Sequence, residues 1–85
     1  MSDINDILDR LANLYKKTSE KIDISIENCD IYGASREAID FVAKTTVITE
    51  GVENEEDKAI VEKIAEDYGK KILEKCSKIK DECLL

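Results

Sequence analysis

Val61, Ala65, Tyr68, Ile72, Cys76, Ile79 and Cys83 recur in steps of four and three, the spacing that gathers apolar side chains onto one stripe of an α-helix. A second stripe occupies the first third of the chain: Ile4, Leu8, Leu11, Tyr15, Thr18, Ile22, Ser25, Cys29 and Tyr32, flanked by Ile7 and Leu14. A helix of nearly 30 residues extends about 45 Å, whereas a compact globule of this chain length is only about 30 Å across. Long helices in so short a chain must therefore lie along one another. The expectation is an all-α fold, a single domain over residues 1–85. It is a three-helix bundle built on a long antiparallel pair, the first and last helices, with a shorter middle helix laid across them.

Local signals set the expected boundaries. Ser2 reads as the N-cap of the first helix, Asp3 and Asp6 lie where the helix dipole favours anions, and Gly33 stands where a left-handed C-terminal residue belongs. Ser35 then caps the middle helix, with Glu37 in its first turn and Ala38, Phe41, Val42 and Thr45 on its buried face. The β-branched run from Thr45 to Thr49 is stiff at χ1 and is expected to end that helix before Gly51. Isoleucine alternates with polar residues at 22, 24 and 26, which is strand periodicity. The alternative architecture is thus α+β, with a two-stranded ribbon pairing 22–26 with 45–49. The helical phase survives through Ile22, Ser25 and Cys29, which favours helix and leaves Ile24 and Ile31 off the stripe, needing another surface to cover them.

The last helix opens on EGVENEEDK, residues 50–58, which carries five carboxylates in its first eight positions. Asn54 with Asp57 three residues on is a capping arrangement, and Glu55, Glu56 and Asp57 suit the positive end of the helix dipole. Acids at the start give way to Lys70, Lys71, Lys75, Lys78 and Lys80. Glu50 and Glu53 precede the cap and are not explained by it. Gly69 interrupts the stripe at a cost of about 1 kcal/mol relative to alanine, which a kink or a close helix crossing would account for.

Twenty acidic against 13 basic residues give a net charge of −7, and there is no histidine. That balance opposes binding to a phosphate backbone, so no direct nucleic-acid contact is expected, and histidine is lost both as a general base and as a zinc ligand. No window approaches a membrane span. Three cysteines, an odd number, follow no apolar leader, which points to reducing cytoplasm with Cys76 and Cys83 as core residues. The tyrosines Tyr15, Tyr32 and Tyr68 are expected to pack on the stripes. The acid cluster offers hard oxygen ligands, but its spacing does not follow a calcium loop, since Gly51 precedes most of the acids.

In IYGASREAIDFV, a glycine followed by a serine that opens a helix resembles the phosphopantetheine attachment site of acyl carrier proteins. The resemblance implies a carrier domain modified at Ser35, although Ala34 and Arg36 stand where that family has an acid and an apolar residue. The Tyr32–Gly33 pair between two helices is similar to the Trp-x-Gly hairpin of small type VII secreted proteins, with tyrosine in place of tryptophan and no spacer.

No nucleophile motif or glycine-rich phosphate loop is present, so no catalytic residue, cofactor or metal ligand is assigned. The functional expectation is a protein–protein interaction module, a regulator, inhibitor or adaptor, whose carboxylates Glu50, Glu53, Glu55, Glu56 and Asp57 meet a basic surface on a partner protein. A homo-oligomer is expected to cover the apolar edge of a thin bundle. The alternative function is a purely structural homo-oligomer in which charge serves solubility.

Overall fold

The computed structural model describes residues 3–83. Three helices follow in order: α1 (Ile4–Glu27), α2 (Ile31–Glu50) and α3 (Glu55–Cys83), each packed against both others. They form a rod of 47 × 16 × 15 Å, close to the roughly 44 Å that 29 helical residues span. The all-α bundle with a shorter middle helix is therefore the fold. Residues 22–26 and 45–49 are helical, so the ribbon does not form.

Both connections are too short to recross the bundle, so consecutive helices run antiparallel. The first and last helices consequently lie parallel, not antiparallel as arranged from the sequence. At one end Ile7 and Leu11 of α1 pack with Val52 and with Val61 of α3. Toward the other end Ile22 packs with Ala34, Ala38 and Phe41 of α2 and with Ile72 and Ile79 of α3. Tyr68 touches both clusters; its ring stacks on Tyr15 at 4.6 Å, and Tyr15 in turn meets Phe41 edge-on at 6.5 Å.

The turn between α1 and α2 falls at Asn28–Asp30, earlier than Gly33. Cys29 takes the left-handed conformation, with φ of 51°. The Asp30 amide donates to the Ser25 carbonyl and the Cys29 amide to the Ile26 carbonyl, the pair of bonds that closes a helix of this kind. Asp30, not Ser35, is the N-cap of α2: its carboxylate accepts from the Gly33 amide at 2.8 Å. Gly33 thus sits inside the first turn of α2. A Cβ there would press on the Asp30 carboxylate and lie 3.0 Å from Ser25 Oγ, so close approach of the two helix ends is its role. The Tyr32–Gly33 pair is helical and does not form the hairpin turn. At the start of α1, Ser2 lies outside the described residues, and Asp3 is the N-cap without a side-chain cap bond.

The threonines explain why α2 continues to Glu50. Thr45 and Thr46 hydroxyls donate back to the Val42 carbonyl at 3.0 and 2.8 Å, and Thr49 donates to Thr45 at 2.8 Å. Each hydroxyl is satisfied within the helix, which removes the polar cost of a β-branched run even where Thr45 is buried. Ala38, Phe41 and Thr45 are buried as expected, but Val42 is half exposed. Ile24 and Ile31, off the stripe, are exposed. Tyr32, expected to pack, is 85% exposed.

The cysteines also depart from expectation. Cys29 and Cys83 form a disulfide with Cα atoms 5.6 Å apart, fastening the α1–α2 turn to the last turn of α3, while Cys76 is free and half-buried. Gly69 does not serve a close helix crossing: a Cβ there has nothing within 4 Å. Gly69→Ala is therefore expected to stabilise the bundle by about 1 kcal/mol, raising the melting temperature by roughly 4–8 °C. An unchanged or lower melting temperature would show that the glycine is needed.

Candidate functional site at the acidic end

Val52 is the buried residue of the α2–α3 connection and packs into the Ile7, Leu11 and Val61 cluster. Pinning that side chain inward leaves Glu50 and Glu53 outside on either side of it, both exposed. Asn54 then caps α3 as the spacing predicts: its Oδ1 accepts from the Asp57 amide at 3.0 Å, and its carbonyl from the Lys58 amide at 2.8 Å. Glu55, Glu56 and Asp57 fill the first turn. Glu55 and Glu56 are exposed and Asp57 is half-buried.

The structure adds acids that the chain order separates. Because α1 and α3 start at the same end, exposed Asp3, Asp6 and Asp9 share that end with the five carboxylates of 50–57. The cross-helix and intrahelical ion pairs lie elsewhere: Lys44 with Asp40 at 2.9 Å, Lys63 with Asp67, Lys70 with Glu66, and Lys75 with Asp23 at 2.8 Å. Among the described residues, none of these pairs uses a carboxylate of the acidic end. The N-terminal dipole of α3 offsets part of the repulsion among Glu55, Glu56 and Asp57. Among the described residues no group of three or more carboxylate or thiol side chains converges in a way that holds a metal ion.

Away from that end several charges are paired. The Asp40 carboxylate, by hydrogen bond and by charge, holds the Lys44 ammonium above its usual pKa. Lys75 also bonds the Ser19 hydroxyl, tying α3 to α1, and Lys71 lies over the Tyr68 ring. Burial pushes the Cys76 thiol up, and it donates to the Ala34 carbonyl at 3.4 Å. Ser35 is exposed in the second turn of α2, one turn beyond the cap.

One feature escaped the sequence reading. A groove between α1 and α2 is lined by the apolar Leu14, Val47 and Ile48 together with the cationic Arg10, Lys17 and Lys44. Arg10, Leu14 and Lys17 fall on one α1 face by their four-and-three spacing, which could have signalled it; the α2 contribution depends on the turn at Asn28–Asp30.

Fold and surface together define the class: an acidic three-helix rod with one carboxylate-rich end. No helix of the described residues is long and apolar enough to cross a membrane. No protein-family model, curated protein or solved structure matches the chain.

Proposed function

We propose that the protein is a non-catalytic binding module, a regulator, inhibitor or adaptor, whose acidic end docks on a basic surface of a partner protein. The observation that carries this reading is that, among the described residues, Glu50, Glu53, Glu55, Glu56 and Asp57 enter no ion pair. Their mutual repulsion, only partly offset by the α3 dipole, is left for something outside the bundle to relieve. Unpaired like charges at one end of a rod steer a cationic partner and accelerate its approach.

Glu53, Glu55 and Glu56 changed together to Lys tests this, since all three are exposed and none packs in the core. A basic protein captured from the source cell at low salt and released at high salt is expected to associate with this variant about tenfold or more slowly, with a flattened salt dependence. Capture at the wild-type rate would remove the acidic end from the interaction. The compartment proposed with this reading is the cytoplasm, where the Cys29–Cys83 pair would be held reduced and the bundle would rest on its apolar core. Alkylation of the protein in its cells tests that: both thiols labelled without added reductant supports the cytoplasm, and both protected points to an oxidising compartment.

A further inference from the structure

The outward face of α2 carries a second set of apolar residues, flanked by one charge at each end. Directly opposite Ala34, Ala38, Phe41 and Thr45, the helix presents Tyr32, Arg36, Ile39, Ala43, Val47 and Glu50, all exposed. Ile39 and Val47 are each 71% exposed and Tyr32 is 85% exposed. A helix with apolar residues on both sides belongs inside a structure, yet none of the described residues covers this face.

The order of residues on that face identifies the cover. Counted from Ala43, Ile39 and Val47 lie four positions away on either side, and Arg36 and Glu50 lie seven positions away. Apolar faces apolar across this centre, and cation faces anion. Among the described residues, neither Arg36 nor Glu50 takes part in an ion pair. A two-fold interface requires that residue i meet j and j meet i, and such mirror placement is what that requirement looks like on a single helix. A foreign helix would impose no such symmetry.

We infer that two copies of the chain associate through α2, antiparallel, about a two-fold axis at Ala43. Ile39 then packs on Val47 of the second copy, and Arg36 pairs with Glu50 of the second copy, each twice. Ala43 meets Ala43 of the second copy, and its small side chain lets the helix axes approach to about 8 Å. Tyr32 extends along the second copy toward its α2–α3 connection. The arrangement sets the two acidic ends at opposite ends of the dimer, which limits the repulsion between two chains of net charge −7. The dimer goes beyond the acidic-end reading and shares only Glu50 with it.

Sedimentation equilibrium from about 1 µM to about 1 mM provides the test, with association following mass action. The wild type is expected to pass from monomer to dimer. Arg36→Glu and Glu50→Arg each set like charges together twice and are expected to raise the dissociation constant about tenfold or more. The double variant restores opposite charges and should return to within about threefold of wild type. Ala43→Glu should leave a folded monomer, with helicity by circular dichroism confirming the fold. A wild type that stays monomeric throughout, a double variant no tighter than either single one, or assemblies larger than a dimer would overturn the proposal. So would a dimer indifferent to Ala43→Glu but weakened by Leu73→Glu, which would place the contact in a second groove, between α2 and α3, lined by Val42, Thr46 and Leu73. Loss of the dimer leaves the acidic-end reading intact, because that reading is tested at Glu53, Glu55 and Glu56.

Discussion

Reduction of the Cys29–Cys83 disulfide is expected to lower the melting temperature by about 8 to 32 °C. The two cysteines are 54 positions apart, so the bond closes a loop comprising most of the chain. Removing that constraint from the unfolded ensemble costs about 4 kcal/mol in the loop-entropy account, and each kcal/mol shifts a domain of this size by roughly 4–8 °C. The low end of the range allows for the stabilisation being nearer 2 kcal/mol. The bond sits at the end of the rod where α1 turns into α2 and α3 finishes, so its loss should also expose the last turns of α3 to faster amide exchange. Replacement at position 29 separates the covalent effect from the backbone one. Cys29 occupies the left-handed region at φ 51°, which costs a residue with a Cβ about 1 kcal/mol that glycine avoids. Cys29→Gly and Cys29→Ser both lack the disulfide, but the glycine variant is expected to be the more stable of the two by about that amount. Identical melting with and without reductant would mean that the bond is not formed in solution.

The same bond marks how far the sequence could be read. Stripes in steps of four and three located α1 and α3, and chain length against helix length required a rod. The Asn54–Asp57 cap was legible because both its residues are local. The α1–α2 turn was not, for a physical reason: the helical phase of Ser25, Cys29 and Tyr32 continues unbroken through it. Its left-handed residue is a cysteine where a glycine is usual, while Gly33 nearby serves close packing instead. The β-branched residues 45–49 read as a helix stop because propensity scales omit the back-bonding of Thr45, Thr46 and Thr49. The disulfide depended on helix direction. With α1 and α3 antiparallel, Cys29 and Cys83 would lie at opposite ends; the two short connections make them parallel and bring the thiols together. Parallel α1 and α3 likewise place Asp3, Asp6 and Asp9 with the carboxylates of 50–57. The individual acids of the candidate site were evident from composition, and their company was not.

Phe41→Ala is expected to cost about 3 to 5 kcal/mol, the largest loss from any single side chain in the bundle. Phe41 is 1% exposed and is the largest of the fully buried side chains. It belongs to the cluster in which Ile22, Ala34, Ala38, Ile72 and Ile79 join all three helices, so truncation opens a cavity that no one helix can close by shifting. Loss of the edge-on contact with Tyr15 adds to the transfer and cavity costs, while Tyr15 keeps its stack on Tyr68. Phe41→Leu retains most of the volume and should cost less than half as much. Domains of this kind are stable by about 5–15 kcal/mol in total, and a bundle so thin belongs toward the low end of that range. Phe41→Ala should therefore remain folded while the disulfide is intact and lose cooperative unfolding once it is reduced, when the two losses together reach about 7 to 9 kcal/mol if they add. Denaturant titration followed by circular dichroism, with and without reductant, measures both. A reduced Phe41→Ala variant that still unfolds in one sharp transition near the wild-type midpoint would show that the bundle's stability does not rest on this three-helix junction.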